Sequence, residues 1–178
     1  MALMKKKRIL EYLLLAGVAL LVVGLDQWTK HLVRTRLGYG MIWSPWEWLE
    51  PYARIIHWDN SGAAFGMLQG FGGVFTVLAI LVSIGIIYYY PRLDANDWPM
   101  RLILGMQLGG ALGNLVDRLL RGGRVTDFIS ISTFPVFNVA DSCITVGTIL
   151  LISLVWYRDN QEKRAQKQAA LPSAGKQD

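Results

Sequence analysis

The sequence predicts an all-α integral membrane protein, four transmembrane helices carrying a small extracytoplasmic β-cradle or loop subdomain. Three observations lead there. Residues 9–25, 70–90, 102–116 and 142–157 are long apolar stretches, and only the first holds a charge, Glu11. A hydrocarbon core about 30 Å thick takes roughly 20 helical residues, and flanking residues supply the turn that the two shorter stretches lack. Eleven of the basic residues fall at the two ends and between the second and third stretches, against seven in the other connections. By the positive-inside rule both termini are then cytoplasmic, as an even number of spans requires. Finally, residues 38–69 gather Trp43, Trp46, Trp48, Trp58, Tyr39 and Tyr52 around Pro45 and Pro51, a composition suited to the headgroup layer.

The predicted spans are about 9–30, 70–90, 100–118 and 140–157, within one membrane-embedded domain over residues 1–160. Segments 31–69 and 119–139 face outward, and 161–178 form a polar cytoplasmic tail. Lys5, Lys6, Lys7 and Arg8 imitate the start of a secretory signal. No small-x-small cleavage pattern follows, so the first span is a retained helix. Asp26 and Lys30 stand i, i+4 at its outer end, the spacing of an ordinary ion pair. Residues 53–58 read as a short strand, Asn60-Ser61-Gly62 as a turn, and 128–133 as a second, weaker strand. In the third span Gly105, Gly109 and Gly113 form a stripe of small residues that lets backbones approach closely in lipid. Asn114, Asp117 and Arg118 continue along that helix, and Asp117 and Arg118 could pair with each other. Asn138, Asp141 and Thr145 share one face of the fourth span. Asn138 suits an N-cap, and an aspartate in the first turn suits the helix dipole.

Several classes are disfavoured. No Lys/Arg stripe with interleaved aromatics suggests nucleic-acid binding, so the basic charge reads as topology and contact with anionic phospholipid. Cys143 is the sole cysteine, which rules out an internal disulfide. No Cys/His cluster marks a metal site, no cofactor motif is present, and His31 and His57 read as surface or interfacial residues.

Asp127 and Asp141 are the most informative residues. A carboxylate near hydrocarbon costs about 2.5–3.5 kcal/mol at mid-span, so such groups usually act. Taken singly, each polar residue here also reads as a cap, an ion pair or a packing group. Convergence favours chemistry, because side chains from the first, third and fourth spans and Asn60 all reach the outer boundary. A proton-coupled transporter would place its carboxylates near mid-membrane and show repeat symmetry. A structural subunit would tolerate Asp→Asn at both positions.

Five motifs then resemble, in order, those of bacterial lipoprotein signal peptidases. They are Asp26-Gln27-Trp28-Thr29-Lys30, Asn60-Ser61-Gly62-Ala63-Ala64-Phe65-Gly66, the run from Gly109 to Arg118, Val125-Thr126-Asp127-Phe128, and Phe137-Asn138-Val139-Ala140-Asp141-Ser142. The resemblance covers about residues 20–150. It implies an aspartic endopeptidase of the bacterial cytoplasmic (inner) membrane. Such an enzyme cuts prolipoproteins just before the diacylglyceryl-modified cysteine of the lipobox. The implied catalytic pair is Asp127 and Asp141. Asn114, Arg118, Asn138, Asp26, Asn60 and Ala140 would bind substrate or support the pair, while Asp117 and Lys30 would be structural. No cofactor or metal is implied, and a monomer suffices because both aspartates come from one chain. Two departures bear on substrate preference. Only 13 residues separate the aspartates, and Thr126 stands where an aliphatic is commoner.

Overall fold

The structure, a computed structural model, describes residues 2–62, 70–94 and 96–169. Its elements are α1 (Ala2–Arg36), β1 (Ile42–Trp43), β2 (Ala53–Asn60), α2 (Gly72–Tyr89), α3 (Trp98–Leu120), β3 (Val125–Ile131) and α4 (Val139–Ala169). A short 3-10 turn, Tyr90–Arg92, follows α2. Residues 63–69, which include part of the Asn60 motif, and the chain end at 170–178 lie outside the described residues.

Among the described residues three helical stretches are long and apolar enough to cross a membrane, namely Leu10–Arg36, Gly72–Arg92 and Val139–Ala169. The protein is therefore mostly helical and multi-pass. At 23 residues α3 is also long enough, but it carries Arg101, Asn114 and Asp117, all buried. The reason is its position. It packs against α1, α2 and α4, so much of its surface meets protein, where polar groups find partners. By contrast α2 is apolar around its circumference and buries only Gly72, Ser83 and Ile86, as a lipid-facing helix should.

The glycine stripe explains how closely α3 sits. A Cβ on Gly105 would lie 2.7 Å from Val18 Cγ1, one on Gly109 2.6 Å from Val22 Cβ, and one on Gly113 2.8 Å from Asp26 Oδ2. These three glycines thus face α1. Gly110, next to the stripe, faces α4, with Ala140 O 2.6 Å from the position of an added Cβ. Leu15, Ala19, Ile86, Tyr90, Leu104 and Leu108 close the core between α1, α2 and α3.

Two helices run further than expected. Six residues beyond the predicted end at 30, α1 is still helical, which carries Arg34 over the sheet. The polar segment 161–169 continues α4 rather than leaving it at the predicted end near 157. Its i, i+4 pair Asp159–Lys163, at 2.6 Å, is the kind of contact that supports an exposed helix. At the N-terminus of α3, Asp97 accepts from the Met100 amide at 3.2 Å and from Arg158 at 2.6 Å twice. That pairing holds the Asp97 carboxyl below the usual carboxylate range. Asp97→Ala should cost about 1 kcal/mol for the cap and lower Tm by about 2–4 °C, with cleavage unchanged. The exposed Arg158 adds little to that loss. Thermal unfolding in detergent measures it.

The strands form one antiparallel sheet of order β1-β2-β3. The first strand has only two residues, too few to show an alternation in sequence. β3 begins at Val125 rather than at the predicted 128, so Asp127 lies inside the strand, opposite Trp58. Gly122 and Gly123 end α3 with φ of +61° and +87°, which side chains rarely adopt, and pairing with β2 then starts at once. Beyond β3 the chain reverses, and Phe137 bridges back to Ile129. Thirteen residues between the aspartates are therefore enough. The return places the start of α4 beside Asp127.

Candidate active site

Asp127 sits on β3 and is 2% exposed. Its two oxygens accept from Asn138 Nδ2 at 2.7 Å and Asn60 Nδ2 at 3.0 Å. Asp141, in the first turn of α4, accepts from Asn114 Nδ2 at 2.7 Å and from the Asn138 amide at 3.2 Å. Asn138 returns a bond, its Oδ1 accepting from the Asp141 amide at 3.0 Å. This is a capping box with asparagine at the cap and aspartate three residues on. The capping reading of these residues therefore holds. One asparagine binds the two aspartates at once.

Burial pushes the Asp127 carboxyl up to about 7, and the nearby charge of Asp141 adds to this, while the Asn60 and Asn138 bonds oppose it. Two neighbouring carboxyls cannot both ionise cheaply. Asn60 is held by its own turn, its Oδ1 accepting from the Gly62 amide at 2.9 Å.

Behind the pair lies a second polar layer. Asn114 Oδ1 accepts from Lys30 Nζ at 2.9 Å and Asn138 Nδ2 at 3.1 Å. Lys30, fully buried, also meets Asp26 at 2.7 Å and Asp117 at 3.4 Å. Asp26 accepts from the Ala140 amide at 3.0 Å. Asp117 does not pair with Arg118. Neighbours along a helix point about 100° apart, and Asp117 turns instead to Lys30, Arg34, Gln27 and the Thr126 amide. Arg118 faces the other way, its guanidinium 5.6 Å from the Phe75 ring. The departure at Thr126 has a use here, because its hydroxyl accepts from Arg34 at 3.1 Å and from Arg121. Arg121 in turn grips Asp59 at 2.8 and 3.1 Å.

Sequence reasoning missed Gln27, Arg34 and Arg121. Arg34 had a signal, since Asp26, Lys30 and Arg34 repeat every four residues on one face of α1. His57 corrects the surface reading: it is buried, with Nδ1 2.9 Å from Leu37 O and its ring edge-on to Tyr39. His31 is exposed, as expected.

Asn60, Asn114, Arg118, Asp127 and Asp141 line a cavity of about 470 Å³, and Pro135, Ile144 and Val146 contribute to its apolar lining. Polar groups converging on an apolar cleft are the ordinary form of a small-molecule or peptide site. Fold and site together describe a multi-pass membrane protein with a carboxylate pair, Asp127 buried and Asp141 half-buried, at a largely apolar cleft.

Comparison with known proteins gives the particular family. Residues 18–157 match the family described as Signal peptidase (SPase) II. The lipoprotein signal peptidase of Anoxybacillus flavithermus is 38% identical over 159 residues, covering 87% of this chain and 90% of that protein. That of Acinetobacter baylyi is 40% identical over 156 residues, covering 82% and 83%. A solved structure described as a bacterial membrane enzyme, obtained by the in meso method at 2.3 Å resolution, superposes with a TM-score of 0.72. It is 29% identical and covers 92% of this chain and 94% of its own. The chain belongs to the signal peptidase II family. The transporter reading falls with that finding.

Proposed function

We propose that Asp127 and Asp141 are the catalytic pair with which this signal peptidase cleaves the signal peptides of prolipoproteins. The cut falls immediately before the diacylglyceryl-modified cysteine. The observation that carries the assignment is Asn138, which donates to Asp127 and caps the helix that holds Asp141, both aspartates lining the cavity. The ionised member takes a proton from water, which attacks the scissile carbonyl. The protonated member hydrogen-bonds the carbonyl oxygen and then donates to the leaving amine. The pair titrates as a unit.

The remaining groups fit substrate. A peptide bond at the bilayer edge must have its polar groups satisfied, because lipid offers none. The Arg118 side chain makes no ion pair or hydrogen bond among the described residues and is half-buried at the cavity wall, so its guanidinium is available to a carbonyl, glyceride ester or lipid phosphate. The apolar lining suits the diacylglyceryl chains, which extend between helices into surrounding phospholipid. In this reading α3 is a fourth span, enclosed by the other three, both termini are cytoplasmic, and the pair faces the extracytoplasmic side of the bacterial inner membrane. One copy of the chain is sufficient.

The test is cleavage of a diacylglyceryl-modified prolipoprotein by the purified enzyme, with the new N-terminus mapped by mass spectrometry across pH. One proton must reside on the pair. Activity therefore falls when a second proton binds at low pH and when the last one leaves at high pH. With Asp127 at about 7, the alkaline limb should begin near neutrality. A cut elsewhere, or a rate flat from pH 4 to 10, would sink the assignment.

A further inference from the structure

We infer that Lys30 sets the separation of the two catalytic aspartates and is a positioning residue for the reaction. This rests on the assignment of Asp127 and Asp141 above. Two arms meet at the ammonium, the first closer than the second. On one arm Lys30 Nζ holds Asp26 Oδ2 at 2.7 Å, and Asp26 Oδ1 accepts from the Ala140 amide at 3.0 Å. Ala140 immediately precedes Asp141. On the other arm Lys30 Nζ lies 3.4 Å from Asp117 Oδ2, which accepts from the Thr126 amide at 2.9 Å. Thr126 immediately precedes Asp127. One lysine thus bridges two carboxylates, each gripping the backbone just before one catalytic residue.

A third contact acts on side-chain orientation. Lys30 donates to Asn114 Oδ1 at 2.9 Å. An ammonium only donates, so the Asn114 oxygen must face it and the Asn114 NH₂ must face Asp141, at 2.7 Å. Lys30, Asp26 and Ala140 are 0% exposed, Thr126 likewise, and Asp117 only 2%. No water is available to replace a lost partner, and an unpaired buried charge is strongly unfavourable, so the bridge has one arrangement. An ordinary structural ion pair would tie two helices together. This one joins α1, α3, β3 and α4 at the two backbone positions that fix the reacting groups.

The experiment compares Lys30→Met, which keeps length but removes charge, with Lys30→Arg, Arg101→Met, Asp127→Asn and Asp141→Asn. Arg101 is a second buried cation, paired with Glu11 at the opposite end of the bundle. The readouts are kcat, KM and pH profile on diacylglyceryl-modified prolipoprotein, with folding checked by thermal unfolding in the same detergent. Lys30→Met should lower kcat about 100-fold with KM nearly unchanged, the signature of misplaced reacting groups. The charges facing the pair are Asp26, Lys30 and Arg34 from α1 and Asp117 and Arg118 from α3, with the Arg121–Asp59 pair beyond. Removing the positive charge of Lys30 makes protons bind the pair more tightly, so both limbs of the profile should move to higher pH. Lys30→Arg should return the limbs to their wild-type position and recover part of kcat. Arg101→Met should lower stability without moving either limb.

A Lys30→Met enzyme with near-normal kcat and an unmoved profile overturns the inference. So does one that does not fold where Arg101→Met does, because Lys30 would then serve assembly of the bundle. If Asp127→Asn and Asp141→Asn are themselves active, the fault lies in the catalytic assignment, and the failure is separable.

Discussion

Asp127→Asn and Asp141→Asn should each lower the cleavage rate at least about a thousandfold, in proteins that remain folded. Each substitution keeps the shape of the side chain. An amide neither accepts the proton of an attacking water nor passes one to a leaving amine, so the chemistry is lost while the packing is kept. The stability readout is equally specific for Asp127. Its folded value of about 7 lies above its value in the unfolded chain. Such a group contributes stability that is complete below about pH 4 and is lost as pH rises through 7. Asn cannot ionise, so the Tm of Asp127→Asn relative to wild type should climb between pH 4 and 7 and then level off. Asp117→Asn is the discriminating control. It keeps an acceptor for the Thr126 amide but weakens the contacts to Lys30 and Arg34, and should cost roughly 10–100-fold as a displacement of the reacting groups. If Asp117→Asn is dead and Asp127→Asn active, Asp117 is the true partner of Asp141. Cleavage rates with unfolding curves at four pH values decide it.

These residues also show where reading the sequence succeeds and where it stops. The outer convergence of Asp26, Asn60, Asn114, Asn138 and Asp141 was legible because polar groups at the ends of apolar spans have few innocent explanations. The stripe of Gly105, Gly109 and Gly113 was legible for a similar reason, small residues at fixed spacing marking a close approach. Partner choice was not legible. Asp117 and Arg118 are adjacent in sequence, yet the helical turn sends them to different sides, one to Lys30 and the other to the cavity. Arg121, and the acceptor that Arg34 shares with it, were hidden because the Thr126 hydroxyl becomes apparent as their partner only when β3 lies across the ends of α1 and α3. The start of β3 was misplaced because pairing with β2, and not local alternation, decides it. Asn138 carried two readings that seemed to compete, cap and active-site ligand. With both oxygen and nitrogen to offer, it caps α4 and donates to Asp127 at once.

Gly110→Val should abolish activity, and Gly110→Ala should already reduce it about 100-fold. A Cβ here would lie 2.6 Å from the carbonyl oxygen of Ala140 and 2.7 Å from Ile144 Cγ1. The first obstacle is backbone, which cannot rotate aside as a flexible side chain can, so α4 must move away from α3. That movement begins at Ala140, the residue whose amide is held by Asp26 and which precedes Asp141. Asp127 belongs to β3 and stays behind. A displacement of a few tenths of an ångström therefore opens the proposed catalytic pair directly, where overpacking elsewhere would mainly cost about 1–3 kcal/mol of stability. Gly85 supplies the control. It lies in α2, where an added Cβ meets nothing within 4 Å. Gly85→Ala should leave the rate unchanged and stabilise the helix by about 0.5–1 kcal/mol, since glycine is the poorer helix former. Rates and Tm for Gly85→Ala, Gly110→Ala and Gly110→Val separate the two effects. Gly110 loses rate out of proportion to stability only if the α3–α4 contact sets the geometry of the pair. A fully active Gly110→Val enzyme would mean that Asp141 reaches its working position from elsewhere, and the close approach of α3 and α4 would then serve packing alone.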